Sequence, residues 1–244
     1  MSEREGIRMP MDPCKRILVA LDTTDVNRAR ALALTLAGHV GGVKIGKEFF
    51  TANGPRGVRA VVGENQPLFL DLKFHDIPNT VAGALRSAMA LRPLILNVHA
   101  AGGADMLRAA AEAVAEAGSS RPLLIAVTVL TSLDGDDLSD IGVPSNAVDQ
   151  VVRLARLSQD CGLDGVVCSP LEINAIRDAC GPDFKLVVPG IRPDWATKGD
   201  QKRTTTPRQT VDLGADYLII GRPITGAEDP VGSVKRIGEE LSGA

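Results

Sequence analysis

Short runs of apolar residues alternate along the chain with longer segments of helical period. Each run is apolar throughout, which is typical of parallel strands covered on both faces, whereas a half-exposed strand alternates polar and apolar positions. The pattern therefore predicts a sheet of parallel strands. Eight runs are predicted to be strands: Ile17–Leu21, Gly42–Ile45, Leu68–Leu72, Leu94–Val98, Leu123–Leu130, Gly165–Cys168, Lys185–Val188 and Tyr217–Ile220.

The segments between these runs carry leucine and alanine at helical spacing, backed by arginine or glutamate. Gly162 and Gly181 come just after two of them, where a helix commonly ends in glycine. The helices are predicted over Asn27–Ala37, Pro55–Val62, Thr80–Leu91, Met106–Ala117, Asn146–Asp160, Leu171–Cys180, Pro207–Leu213 and Val231–Leu241.

Eight strand-then-helix units without a linker, in a chain of 244 residues, indicate an α/β protein of the (β/α)8 TIM-barrel class. We expect residues 1–244 to form a single barrel domain, with residues 1–14 as a loose N-terminal tail. A doubly wound open sheet is the alternative. That fold favours a G-x-G-x-x-G turn after the first strand, and this chain has Asp22-Thr23-Thr24-Asp25 there.

Composition and charge narrow the classes of partner. The chain is 44% hydrophobic and 23% charged, as in ordinary globular proteins, and its 3% aromatic content predicts a core of aliphatic side chains. The net charge is −3 and no block is dense in lysine or arginine, so nucleic acid is not an expected partner.

The cysteines and the apolar segments indicate the cellular compartment of the protein. Four cysteines are scattered without a C-x-x-C pair, which disfavours a zinc site and fits a reducing cytosol. The N-terminus lacks the apolar stretch of a signal peptide. The longest apolar run, Leu123–Leu130, is shorter than the roughly 18 residues that a membrane span requires. We therefore expect a cytoplasmic protein with no membrane partner.

Functional residues of a barrel lie at the carboxyl ends of its strands, and the third strand ends in a charged cluster of Asp71, Lys73 and Asp76. Asp71 and Lys73 are two apart, so in a strand they point to the same side. Such charges at the end of an apolar run are costly unless they pair. With Lys44 of the second strand they would form an alternating network of two anions and two cations, which would hold a lysine protonated as a general acid.

Other polar residues at strand ends have plainer interpretations. Asp22, after the first strand, has the position of a helix cap. Lys44 taken alone is typical of a lysine extending from the rim. Asn97 and His99 end the fourth strand, and we interpret His99 and His75 as structural histidines.

The ends of strands seven and eight indicate a phosphate site, a frequent feature of this fold. Gly221 allows close backbone approach, and Arg222 offers a forked, charge-assisted contact to phosphate oxygens. Arg192, after strand seven, adds a second cation. The polar segment 194–206 that follows is predicted to be a lid or binding loop.

The segment from Leu70 to Thr80, LDLKFHDIPNT, closely resembles the D-x-K-x-x-D-I-P-x-T signature of the orotidine 5′-phosphate decarboxylase family. Asp22, Lys44, the VPGIRP segment 188–193 and the IIGRPIT segment 219–225 follow the same order as in that family. The resemblance extends from Ile17 to the C-terminus.

The resemblance implies decarboxylation of orotidine 5′-phosphate to UMP in pyrimidine synthesis, with no metal and no organic cofactor. It also implies a homodimer with shared active sites. Lys73 would protonate C6 of the product ring. Lys44, Asp71 and Asp76 would complete the charged network, with Asp76 supplied by the partner subunit. Asp22, Lys44 and Asp71 would contact the substrate, the first two at the ribose.

The same resemblance implies roles in the rest of the site. Thr80 would lie near the partner contact, and Thr131 would face the pyrimidine. Gln201, on the lid, would bridge base and phosphate. The phosphate would be held by Arg192, Gly221 and Arg222.

Two other functions remain open from the residues. A metal-dependent sugar-phosphate decarboxylase, aldolase or epimerase would share a related motif but use acidic ligands for a divalent ion, and a cation such as Lys44 opposes a metal there. A non-catalytic binder of nucleotide phosphates would be expected to lack the charges of strand three, all of which are present.

Overall fold

The computed structural model describes residues 12–64, 66–143, 146–196 and 205–243. Eight parallel strands in this part of the chain form a closed barrel in chain order, with β8 paired to β1. Closure confirms the (β/α)8 class and excludes the open doubly wound sheet, which has two edges. The strands are β1 Ile17–Ala20, β2 Gly42–Gly46, β3 Leu68–Phe74, β4 Ile95–His99, β5 Leu123–Val127, β6 Gly165–Val167, β7 Lys185–Val188 and β8 Tyr217–Ile220.

The helices surround the barrel and cover its outer face. Within the described ranges they are α1 Val26–Leu36, α2 Lys47–Val62, α3 Pro78–Met89, α4 Gly103–Ala115, α5 Gly135–Asp140, α6 Ala147–Asp160, α7 Ile173–Cys180, α8 Pro207–Asp212, α9 Arg222–Thr225 and α10 Pro230–Ser242.

The strands are apolar on both faces because each face packs against something apolar. One set of side chains fills the inside of the barrel: Leu18, Phe69, Ile95, Ile125 and Val187. The alternate set packs outward against the helices in a second, larger core. Branched aliphatic residues dominate both cores, which agrees with the low aromatic content of the chain.

Inward-facing positions at the top of this interior layer and just above it form the floor of the functional face. Ala20, Lys44 and Phe69 are in register across β1, β2 and β3, and Gly46 is in register with Asp71. Because side chains alternate along a strand, Lys44 and Asp71 both point into the barrel near its carboxyl end. Two charged side chains thus replace apolar ones where the strands end.

Three helices differ from the prediction: α2, α5 and the four-residue α9, for which no helix was predicted. The helix predicted over Pro55–Val62 begins earlier, at Lys47, and its two halves join at Gly54, which has a φ of 58°. A short helix, α5, lies in a segment where none was predicted. Its capping box, between Asp134 and Asp137, explains why so short a segment is helical.

Of the N-terminal tail predicted over residues 1–14, the structure describes residues 12–14. Pro13–Arg16 form a 3₁₀ turn capped by Asp12, and the half-buried Cys14 packs near the carbonyl of Val234 on α10. Residues 1–11 of the tail lie outside the described ranges. All four cysteines are free, and none of the described helices is long and apolar enough to cross a membrane.

Candidate active site

The end of β3 departs from regular strand geometry. Its register against β4 shifts between Leu70 and Phe74. The backbone of Lys73 has a φ of 51°, in the left-handed region that residues other than glycine rarely adopt. Asp71 and Lys73 nevertheless line one cavity on the same side, as predicted. The irregular backbone, rather than simple alternation, brings the two side chains together.

Four charged side chains alternate in sign across three neighbouring strand ends. Lys73 Nζ donates to Asp71 Oδ1 at 2.5 Å, and Lys44 Nζ lies 3.2 Å from Asp71 Oδ2. Lys44 Nζ also lies 3.6 Å from Asp22 Oδ1. Asp71 therefore holds one ammonium group on each carboxylate oxygen.

Within one chain the second anion of this network is Asp22. The sequence predicted Asp76 as an anion of the network, supplied by the partner subunit. Asp76 is exposed, and its carboxylate accepts a hydrogen bond from the backbone of Ile77 at 2.6 Å. The reason is geometric: β3 ends at Phe74, and the chain then turns outward toward α3.

Asn97, on β4, joins the network from below and is fully buried. Its Nδ2 donates to Asp71 Oδ1 at 2.7 Å, and its Oδ1 accepts the backbone N–H of Lys73 at 2.8 Å. The sequence placed Asn97 at a strand end but assigned it no role. Its partners are on another strand, so a pattern along the chain carries no signal for them.

Asp71 is held ionised. Burial alone would raise the pKa of Asp71, but the charges of Lys44 and Lys73, together with hydrogen bonds from Lys73 and Asn97, hold that pKa below its usual range. With a side chain only 10% exposed, Asp71 depends on these partners for its charge.

The network borders a cavity of about 290 Å³ at the carboxyl ends of the strands. Phe69, Val127, Val167 and Ile219 contribute apolar walls. Such a mixture of apolar walls and a few converging charges is typical of a small-molecule site.

The cavity is also lined by cations that follow the last two strands. Arg192, Gly221 and Arg222 all line it, and the Arg192 backbone N–H donates to Thr205 at 3.0 Å, which closes the base of the loop after β7. A Cβ on Gly221 would lie 3.5 Å from Cβ of Ala20, an ordinary contact. Packing within the protein therefore leaves room for a Cβ at 221.

The remaining predicted site residues separate into three groups. Thr131 lines the cavity. Thr80, on the first turn of α3, is exposed and does not line it, like Asp76. Gln201 lies outside the described residues.

His75 and His99 form a pair beside the network, with ring centroids 5.3 Å apart. Burial, with added repulsion from His75, Lys47 and Lys73, lowers the pKa of His99 to about 4. His99 is therefore neutral near pH 7, consistent with a structural role rather than that of an acid.

A closed barrel with a charged cavity at the carboxyl ends of its strands defines the class of (β/α)8-barrel enzymes. The family model described as "Orotidine 5′-phosphate decarboxylase / HUMPS family" matches residues 15–237. The chain belongs to this family, which confirms the resemblance inferred from the motif.

Individual relatives are similar over nearly their whole length. The chain is 55% identical to an orotidine 5′-phosphate decarboxylase of Paramagnetospirillum magneticum, over 92% of this chain and 97% of the relative. It is 51% identical to one of Moorella thermoacetica, over 93% and 92%. A crystal structure of orotidine 5′-phosphate decarboxylase from Lactobacillus acidophilus superposes with a TM-score of 0.82 at 35% identity, over 92% of this chain and 98% of that one.

Proposed function

We propose that this chain catalyses the decarboxylation of orotidine 5′-phosphate to UMP, a carboxy-lyase reaction of pyrimidine synthesis, without a metal or organic cofactor. One observation carries the proposal: an ionised, buried carboxylate, Asp71, lies between two ammonium groups in a cavity that is also lined by two arginines. Family membership and the relatives named above support the choice of substrate.

Decarboxylation requires a positive charge near C6 and a proton donor, and the charged network contains both. When the bond between C6 and the carboxylate breaks, CO₂ leaves and its electron pair stays on C6, where the ring offers no ready delocalisation. Preorganised positive charge stabilises that pair in a cavity of low dielectric. Lys73 supplies the charge and then donates its proton to C6, forming the C–H bond of UMP, and it regains a proton from solvent.

Asp71 holds the ammonium group of Lys73 in a fixed direction before substrate binds. It would also repel the substrate carboxylate, which must occupy the same side of the cavity as Lys73. Lys44 balances the second oxygen of Asp71 and reaches toward Asp22. We propose that Asp22 and Lys44 together hold the ribose hydroxyls, since each presents polar atoms to the cavity.

The phosphate is assigned to the part of the cavity that Arg192, Gly221 and Arg222 line. Arg222 and Arg192 supply positive charge, and Gly221, which has no side chain, would allow a phosphate oxygen to approach its backbone. Gln201, on the predicted lid, would bridge base and phosphate, and Thr131 would face the pyrimidine. The binding energy of the phosphate, which is remote from C6, would favour closure of the lid. Phosphate contacts would therefore affect kcat as well as KM.

We propose that the chain acts as one barrel domain in a homodimer with shared sites. Asp76 and Thr80 lie outside the cavity of their own chain, and between them Ile77 leaves 67% of its surface exposed. An apolar residue flanked by two predicted site residues is what a subunit contact at the mouth of the partner's cavity requires. A cytoplasmic location remains a prediction from the scattered thiols.

The metal-dependent alternative meets a specific obstacle. Asp22 and Asp71, the carboxylates that would have to ligate a divalent ion, are bridged by the ammonium group of Lys44. A fixed cation between two ligands repels a second cation and occupies its position. The site geometry therefore favours the metal-free reaction.

The proposal is tested by following the absorbance of orotidine 5′-phosphate in EDTA, with the wild type and Lys73→Ala. We expect wild-type turnover to be unaffected by EDTA. Lys73→Ala should lose more than about 10⁴-fold in kcat, because both the proton and the stabilising charge are removed. It should still fold and bind UMP.

Lys185→Ala is the matched control, since Lys185 is also a strand lysine paired to an aspartate but begins β7 at the opposite end of the barrel. Its turnover should be that of the wild type. Normal turnover by Lys73→Ala would refute the proton-donor role. Loss of wild-type activity in EDTA would favour the metal-dependent class instead.

A further inference from the structure

Asn97 makes two hydrogen bonds that tie together the two residues proposed to perform the chemistry. It is 0% exposed, and its amide spans from the side chain of Asp71 to the backbone of Lys73. The amide orientation is unambiguous because a backbone N–H only donates and an ionised carboxylate only accepts. A flipped amide would face a donor with a donor and an acceptor with an acceptor.

We propose that Asn97 is a positioning residue for the decarboxylation, which orients the Lys73 ammonium group and the Asp71 carboxylate relative to each other through one rigid amide. The inference rests on the proposed function, since it concerns the same site. Asn97 does not line the cavity and so acts only through these two residues.

The backbone of Lys73 is the first reason that such a residue is needed. Its φ of 51° is strained for a residue with a Cβ, and conformations of this kind persist only where the surroundings hold them. The β3–β4 register is broken between Leu70 and Phe74, so the regular ladder does not hold Lys73 there. The bond from Lys73 N to Asn97 Oδ1, at 2.8 Å, replaces the missing ladder contact.

The charge of Asp71 is the second reason. Asp71 Oδ1 accepts from both Lys73 Nζ and Asn97 Nδ2, while Oδ2 faces Lys44. Asn97 is the neutral donor in this set, so it holds the carboxylate in place without competing for its charge. Asp22 reaches Asp71 only through Lys44, and the charge of Asp71 acts through space on His99, also on β4.

Two substitutions separate the two bonds of Asn97. Asn97→Leu has a similar size and removes both. Asn97→Asp keeps the oxygen that accepts from Lys73, but its other oxygen donates to Asp71 only while the new carboxyl is protonated. Thr128→Val is the matched control, because Thr128 is also buried, directly after β5, and its hydroxyl donates to the carbonyl of Val167 rather than to a residue of the network.

The experiment measures kcat and KM for orotidine 5′-phosphate across pH, with UMP binding as a test of the intact cavity. Asn97→Leu should lower kcat on the order of 10²-fold, as expected for misplaced reacting groups, with a much smaller change in KM. The acid limb of its pH profile should move to higher pH, because Asp71 loses a donor. The turnover of Asn97→Asp should approach the wild type at low pH and fall as pH rises.

A second readout does not depend on turnover. The carboxyl carbon of Asp71 is followed by NMR during a pH titration of the wild type and each variant, and its midpoint should rise in both Asn97 variants but not in Thr128→Val. If the wild type fails to decarboxylate the substrate, the proposed function fails, while this titration still decides the role of Asn97.

Three outcomes would overturn the inference. One is an Asn97→Leu enzyme with wild-type kcat and an unmoved acid limb. Another is an Asn97→Asp profile parallel to that of the wild type. The third is an Asp71 titration that is the same with and without the Asn97 amide. A general loss of stability shared with Thr128→Val would change none of these quantities.

Discussion

At the scale of single residues, the charged network and Asn97 beside it concentrate polar groups that are costly to bury, and each of them has a partner. Asp71 and Asn97 are both among the few buried polar side chains of the described chain. Their hydrogen bonds replace those to water that burial removes. Deleting one partner therefore leaves the other with the full desolvation cost of an unpaired buried polar group. Removing one of these side chains is therefore expected to destabilise the partner that remains.

His99 gives a prediction about pH. Its pKa in the folded protein is about 4, below the ordinary value of 6.5. As pH falls below about 6.5 the unfolded chain takes up a proton at this residue that the folded chain does not, so acidification to pH 4.5 favours unfolding. Replacing the ring by His99→Gln should reduce this acid-induced loss of unfolding free energy by roughly 1 kcal/mol, less than full linkage because the ring is only half-buried.

Urea titrations at pH 7.5 and 4.5 measure the difference, with the exposed His39→Gln as control. The control should lose as much stability on acidification as the wild type. An equal loss in the His99 variant would mean that His99 titrates normally in the folded protein.

The residue scale also shows where sequence reasoning ends. The pairing of Asp71 with Lys73 follows from charge at the end of an apolar run, and it is found. The left-handed backbone of Lys73 does not follow, because lysine is an unlikely residue for that conformation and tertiary contacts impose it. The place of Asp22 as the second anion depends on where the chain turns after Phe74, which spacing along β3 does not encode.

At the scale of elements, α10 contacts several separate parts of the barrel. Its Arg236 lies 4.7 Å from the ring centroid of Trp195, in the loop after β7. Glu240 accepts from the backbone of Arg208 at the start of α8, and the 3₁₀ turn at Cys14 packs on the same helix. Loosening α10 should therefore weaken the fold rather than the chemistry.

The N-terminal cap of α10 tests this role. Asp229 accepts the backbone N–H of Gly232 at 2.9 Å. Asp229→Ala should lower the free energy of unfolding by about 1 kcal/mol with kcat unchanged, because one unpaired N–H of the first turn loses its acceptor. Chemical denaturation measures the loss.

Glu228→Ala is the control, since it removes the same charge from the exposed neighbouring residue. It should cost much less than the cap variant. Equal losses would attribute the effect to charge near the helix end rather than to the hydrogen bond.

Elements with regular patterns were predicted well, and those that depend on local exceptions were not. The apolar strands and long amphipathic helices occur close to the expected ranges. The first half of α2 was missed because Gly54-Pro55 is a strong breaker sequence. It does break the helix, but between two helical halves rather than at its start. The predicted end of β5, at Leu130, lies three residues beyond the observed end at Val127, because Val129 and Leu130 continue the apolar run after the strand has ended.

At the scale of the whole molecule, the proposed sharing of sites predicts complementation between defective subunits. Lys73→Ala and Asp76→Ala homodimers should each be nearly inactive. A mixture of the two should regain up to about a quarter of wild-type activity: random exchange makes half of the dimers mixed, and each mixed dimer has one site with both residues intact. Activity is measured after co-refolding, with tags on each variant to isolate mixed dimers.

A mixture of Lys73→Ala with Asp71→Ala is the control, because those two residues belong to one cavity. Each mixed dimer of that pair retains one chain defective at Lys73 and one defective at Asp71, so neither site recovers. Verified mixed dimers of the first pair without recovered activity would contradict the sharing of sites.

The closure of the barrel has a consequence for how the protein is made. Asp22, at the end of β1, and Gly221, at the end of β8, meet in one cavity because the first strand pairs with the last. A ribosome synthesising this chain therefore releases most of the polypeptide before any part of the site can be complete. Until then the early strands have an unpaired edge, so the interval before β8 emerges is when the nascent chain is most exposed to misassociation.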